Sequence, residues 1–98
     1  MRVLITGAGG QLGIDLTAVC KAAGDEVVAL GRADLDVADR SRVLEVVAAA
    51  KPDVVVNCAA WTAVDDCESD PTRAQAINGM AVRWIAEACE REHAHLVQ

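Results

Sequence analysis

Ninety-eight residues, 53% of them hydrophobic, bound the chain to one small domain with enough apolar material for a core without staples. A formal net charge of −6, dispersed along the chain, excludes nucleic acid as the expected partner. The cysteines Cys20, Cys58, Cys67 and Cys89 have irregular spacing and no Cys-x-x-Cys pair, so free buried thiols are expected rather than a disulfide or zinc site.

Apolar and helical blocks alternate from the start. Val3-Leu4-Ile5 is a short continuous apolar run, the pattern of a strand buried on both faces. A glycine-rich turn follows. Leu12, Leu16, Val19, Cys20 and Ala23 then share one face of an expected helix, with Gly24 placed to stop it. Glu26–Leu30 is a second strand, ended by Gly31, and residues 31–38 form a polar loop. Asp39 is placed to cap a second helix with Val43, Val46, Val47 and Ala50 inward. Lys51-Pro52-Asp53 ends it, because the residue before proline disfavours the right-handed helical region.

Val54–Asn57 is a third buried strand, followed by a long connection through Trp61 to Asp70. Asp70-Pro71 reads as a helix cap with proline at the first helical position. The third helix turns Ala74, Ile77, Ala81, Trp84, Ile85 and Ala88 inward, and His93 stands where its left-handed C-terminal residue belongs. His95-Leu96-Val97 begins a fourth strand. The expected fold is α/β: a Rossmann-type, doubly wound parallel sheet, here the β-α-β-α-β-α-β portion, with right-handed crossovers. The chain is expected to be one incomplete domain of this type over 1–98. No apolar run could span a bilayer and no signal-peptide pattern follows Met1-Arg2, so the expectation is a cytoplasmic protein without a membrane partner.

Thr6-Gly7-Ala8-Gly9-Gly10-Gln11-Leu12-Gly13 lies between a strand and an amphipathic helix, the context that gives a glycine pattern meaning. Gly7 lets the chain leave the strand sharply, Gly10 clears a Cβ where backbone meets a pyrophosphate, and Gly13 lets helix and strand approach. The helix N-terminus offers unpaired N–H groups to the phosphates. A dinucleotide site of this type usually ends its second strand on a carboxylate that takes the adenosine ribose. Here that end is Leu30-Gly31-Arg32, and Arg32 is a candidate partner for a 2′-phosphate, so NADPH is expected over NADH. Asp34 has the right sequence distance from the glycines but falls past the strand, in the loop.

Ile5–Gly13, Leu35-Asp36-Val37-Ala38-Asp39 and Lys51–Asp65, taken with Glu68 and Asn78, resemble the extended short-chain dehydrogenase/reductases, and within them the dTDP-4-dehydrorhamnose reductase family. The resemblance covers the whole chain. It implies a parent enzyme that reduces dTDP-4-dehydrorhamnose to dTDP-L-rhamnose, with this chain as the cofactor-binding half. It implies that Gly10, Gln11 and Leu12 contact the cofactor phosphates, and that Asp36 and Val37 flank the adenine. Ala60, Trp61 and Thr62 would line the ribose and nicotinamide side, with Ala59 and Ala60 small enough to clear a ribose. Trp61 departs from the smaller or imidazole-bearing residue of that position. Asp65 and Glu68 read as a solvated helix start rather than an acid/base pair. Asp15 falls where some members place an acidic residue near a magnesium-bridged dimer contact, so Mg2+ and a homodimer belong to the expectation. His93 and His95, two residues apart in a strand entry, point to opposite faces, and no metal site is expected of them.

The family's Tyr-x-x-x-Lys pair has no counterpart. The chain has no tyrosine, and its lysines, Lys21 and Lys51, stand in helix and turn positions. No catalytic residue is therefore assigned, and the chain by itself is expected to be inactive. Two alternatives remain: a nucleotide-sugar epimerase or dehydratase of the same superfamily, and a non-catalytic NADPH-binding regulatory subunit.

Overall fold

The computed structural model describes residues 1–31, 33–58 and 71–97, with backbone alone for 71–78. Arg32, the connection 59–70 (with the expected cap Asp70) and Gln98 lie outside the described residues. Among those described the order is β1 (Arg2–Thr6), α1 (Gln11–Ala22), β2 (Glu26–Leu30), α2 (Arg40–Ala50), β3 (Val54–Asn57), α3 (Pro71–Glu92) and β4 (His95–Val97). This is the alternation expected from the sequence.

The strands form one parallel sheet in the order β2-β1-β3-β4. The chain steps from β1 to one neighbour, then crosses back to the other side of β1. With right-handed crossovers that reversal puts α1 on one face and α2 with α3 on the opposite one. It also places a topological switch between β1 and β3, where Thr6 pairs in register with Asn57.

The core is on the α2/α3 face. Leu4 and Val55 from the sheet meet Val43 and Val47 of α2 and Ile85, Ala88 and Cys89 of α3, with Leu35 of the loop closing the cluster. Val28, Leu30 and Leu96 pack around it from the flanking strands. The helix boundaries follow their local chemistry. The Asp39 carboxylate caps α2 by accepting the Arg42 N–H at 3.2 Å. Lys51, before Pro52, leaves the helical region for the left-handed one at φ 46°. Gly24, at φ 86°, closes α1 with its N–H on the Lys21 carbonyl and that of Asp25 on Cys20. His93 does the same for α3 at φ 56°, with the Ala94 N–H on the Cys89 carbonyl.

The expected inward face of α1 needs correction. Leu12 and Val19 are 69% and 63% exposed, and Ala23 is exposed as well. The residue of α1 that is buried is Gly13, with Leu16, Thr17 and Cys20 half-buried beside it. The physical reason is close approach. The helix lies on its glycine, and the longer apolar side chains on either flank splay away from the sheet. Of the face expected on α3, Ala81, Ile85 and Ala88 are buried and Trp84 is half-buried, while the side chains of Ala74 and Ile77 lie outside the described residues.

Candidate functional site

The carboxyl ends of β1, β2 and β3 converge on the glycine turn. Gly7 takes φ 67°, the left-handed region that glycine enters without penalty, and turns the chain out of β1. The Ala8 N–H donates to the Leu30 carbonyl at 3.1 Å, fastening the turn to the end of β2. The Gly10 N–H returns to the Gly7 carbonyl at 3.2 Å, and Gly10 then caps α1 with no side-chain hydrogen bond. The first-turn N–H groups of Gln11, Leu12 and Gly13 have no intrahelical acceptor, as at any helix start.

The glycines separate into two kinds. A Cβ on Gly13 would lie 2.4 Å from the Gly7 carbonyl oxygen and 2.6 Å from Ala8 Cα. Backbone leaves no room for it, so Gly13 is demanded by the fold itself. What it packs on is the turn rather than the strand. A Cβ on Gly10 would meet only the Gly7 carbonyl oxygen at 3.6 Å, an ordinary contact, and Gly10 has φ −79°, open to any residue. A Cβ on Gly9 would meet nothing within 4 Å. Gly9 and Gly10 are both exposed. Nothing among the described residues asks for glycine at either position. Open backbone beside uncapped N–H groups is what a pyrophosphate requires, and the residues present fit a dinucleotide.

At the β1/β3 switch the buried Thr6 hydroxyl donates to Asn57 Oδ1 at 2.7 Å. The Cys58 N–H donates to the Thr6 carbonyl at 3.1 Å. These bonds hold the roots of the glycine turn and of the segment after β3 at a fixed separation. Burial pushes the Cys58 thiol up, so it stays neutral rather than a reactive thiolate. Cys20, Cys58 and Cys89 are all free.

Beyond β2, the Gly31 N–H donates to Asp34 Oδ2 at 2.9 Å. Asp36 is exposed and accepts the Ala38 N–H at 3.0 Å, a local turn that fixes its carboxylate. Val37 is half-buried against the core cluster. Gln11 donates to Asp15 at 3.1 Å, one helical turn on. Asp15 is thus engaged within its own helix, and among the described residues no group of three His, Cys, Asp or Glu could hold a metal ion. The magnesium-bridged contact expected there gains no support.

Of the residues expected at the site, the structure gathers Gly7, Gly10 and Gly13 in one turn and sets Gly31 beside it, the Gly31 Cβ position lying 4.0 Å from the Gly9 nitrogen. Gln11 and Leu12 open α1 with exposed side chains, leaving their N–H groups as the useful part. Arg32, Ala59, Ala60, Trp61 and Thr62 lie outside the described residues. Sequence reasoning missed the Thr6–Asn57 pair. Its signal was available: two polar residues each ending an apolar strand.

A family model, RmlD substrate binding domain, matches residues 1–98. A dTDP-4-dehydrorhamnose reductase of Streptomyces griseus is 50% identical over 97 residues, 99% of this chain and 32% of that protein. The crystal structure of a dTDP-4-dehydrorhamnose reductase from Clostridium acetobutylicum superposes with a TM-score of 0.90 at 40% identity, covering 100% of this chain and 35% of that one. A dTDP-4-dehydrorhamnose reductase from Bacillus anthracis, solved in complex with NADP, gives a TM-score of 0.87 at 35% identity, covering 97% and 34%. The chain thus spans about a third of the length of the relatives it matches. On the match across its whole length, the chain belongs to the RmlD substrate binding domain family, whose members here are Rossmann-type reductases of nucleotide sugars.

Proposed function

We propose that the protein is an NADPH-dependent reductase converting dTDP-4-dehydrorhamnose to dTDP-L-rhamnose, and that residues 1–98 form the cofactor-binding part of its Rossmann domain. The observation that carries the cofactor half is the contrast between Gly13, where backbone leaves no room for a Cβ, and Gly9 and Gly10, where no described residue stands in the way of one. The relatives' names support the reductase half.

When bound, the dinucleotide supplies a hydride to the C4 carbonyl carbon of the keto sugar. The chain's own residues bind and orient. Gly10 leaves the backbone open to the pyrophosphate, and the N–H groups at Gln11 and Leu12 take it. Asp36 and Val37 take the adenine, Arg32 a 2′-phosphate, and Ala59, Ala60, Trp61 and Thr62 the ribose and nicotinamide side. Thr6 and Asn57 keep the two halves of that cradle in register. With no tyrosine in the chain, the proton for the substrate oxygen comes from the remainder of the protein. No described helix is long and apolar enough to cross a membrane. A cytoplasmic site of action and a homodimer complete the proposal.

The test uses the full-length protein with NADPH and dTDP-4-dehydrorhamnose. Stoichiometric oxidation of NADPH with formation of dTDP-L-rhamnose is the expected result. Substrate isomerised or dehydrated without net cofactor oxidation would replace the reductase with an epimerase or dehydratase. Cofactor binding with no turnover of any sugar nucleotide would leave a regulatory subunit.

A further inference from the structure

We propose that Asp34 is a specificity-determining residue: its carboxylate accepts the adenosine ribose hydroxyls and opposes a 2′-phosphate, so that NADH is admitted alongside NADPH. The inference rests on the dinucleotide reading of the glycine turn.

Gly31, directly after the second strand, has no side chain to offer. The loop supplies one from three residues further on. Asp34 Oδ2 accepts the Gly31 N–H at 2.9 Å and lies 3.6 Å from where a Gly31 Cβ would stand. That Cβ position is itself 4.0 Å from the Gly9 nitrogen. The carboxylate therefore occupies the region that an acidic side chain at the strand end would fill, beside the glycine turn. Ribose recognition in a dinucleotide fold takes place there.

The placement is held from both sides. The Asp34 and Leu35 N–H groups both return to the Gly31 carbonyl, at 3.0 and 3.1 Å. The next side chain, Leu35, is buried in the core. The loop is thus tied to the sheet by an apolar anchor immediately after the carboxylate. The turn that faces it is fastened to the same strand by the Ala8–Leu30 hydrogen bond. Asp34 is exposed, and its Oδ1 makes no hydrogen bond among the described residues. One oxygen positions the group and the other is left for a ligand hydroxyl. A carboxylate in that position accepts from a ribose hydroxyl. Against a 2′-phosphate it is a like charge.

Asp34→Asn separates the two roles. The amide oxygen can still accept the Gly31 N–H, but the charge is gone. Dissociation constants for NADH and NADPH are measured by fluorescence titration on the full-length protein, wild type, Asp34→Asn and Asp34→Ala. In Asp34→Asn the affinity ratio is expected to move toward NADPH by about tenfold, the size of one screened contact between like charges near a surface. Asp34→Ala is expected to move the ratio the same way and to weaken both cofactors further by freeing the loop. A ratio unchanged in Asp34→Asn, with both cofactors binding the wild type, overturns the role of Asp34 and leaves the site itself standing. A residue that only holds the loop would weaken both cofactors alike and leave the ratio fixed. Wild-type protein that binds neither cofactor removes the site, and this inference with it.

Discussion

The two faces of the sheet are built differently. On one, Leu4 and Val55 lie under Val43, Val47, Ile85 and Ala88 of two helices, and all are buried. On the other, α1 rests on Gly13, while Leu12, Ile14 and Val19 stand in the open and Val97 of β4 is exposed on the same side. The packed face holds most of the buried apolar side chains that stabilise the chain. The sparse face buries Val3 and Ile5 of β1, but α1 itself buries only Gly13, and that helix presents its N-terminus to the glycine turn. Stability and ligand contact thus rest on different residues, and substitutions can separate them.

The largest effect should come from emptying the packed face. Ile85→Ala deletes a buried side chain between α3 and the sheet and should cost about 3–4 kcal/mol, transfer and cavity contributions together. Val19→Ala, on exposed α1 surface, should cost less than about 0.5 kcal/mol. Denaturant midpoints of the full-length protein measure both. Similar losses for the two would show that α1 is covered as thoroughly as α3 and would abolish the distinction between the faces.

The glycines sharpen it. Gly13→Ala forces a Cβ against the Gly7 carbonyl and the Ala8 backbone, and should cost roughly 1–3 kcal/mol because backbone must shift. Gly10→Ala has room, and should change stability by less than about 1 kcal/mol, the scale of an altered N-cap. It should nevertheless weaken NADPH binding by at least about tenfold, as a methyl enters the space a phosphate needs. Calorimetric titration beside a denaturation curve reads the two effects independently. Full affinity in Gly10→Ala would remove the pyrophosphate from that turn.

The alternation of strands and helices, the helix stops at Gly24, Lys51 and His93, and the Asp39 cap were legible in the sequence because each depends on a few neighbouring residues. The glycine turn was legible for the same reason. The exposed flanks of α1 were not. Periodicity marks Leu12 and Val19 as apolar, but whether anything covers them is decided by residues far along the chain. The position of the Asp34 carboxylate was equally hidden. By sequence it lies past the strand, and only the turn back onto Gly31 returns it to the strand end. The Thr6–Asn57 bond joins residues 51 positions apart: the polar strand ends were visible locally, but their pairing depends on β1 and β3 being neighbours in the sheet.

The smallest effect concerns the rim of the packed face. Arg40 of α2 donates to both carboxylate oxygens of Glu87 on α3, at 2.9 and 2.6 Å, and Arg91 reaches the same carboxylate at 2.9 Å. The Arg40 guanidinium also lies 5.8 Å from the centre of the Trp84 ring. The hydrogen bond from Arg40, with the charges of Arg40 and Arg91, holds the Glu87 carboxyl below the usual glutamate range. A carboxyl depressed in the folded state contributes stability that is complete above its unfolded pKa. That contribution is lost as pH falls through the lower, folded value. Glu87→Gln should therefore be slightly less stable than the wild type at neutral pH and should converge with it in acid. The difference in denaturant midpoint, followed from neutral pH down to about pH 3, reads this directly. The pair is exposed to solvent, so the gap should be small beside that of Ile85→Ala. A gap of comparable size would mean that α2 and α3 are joined by charge at their rim as much as by the apolar core beneath it.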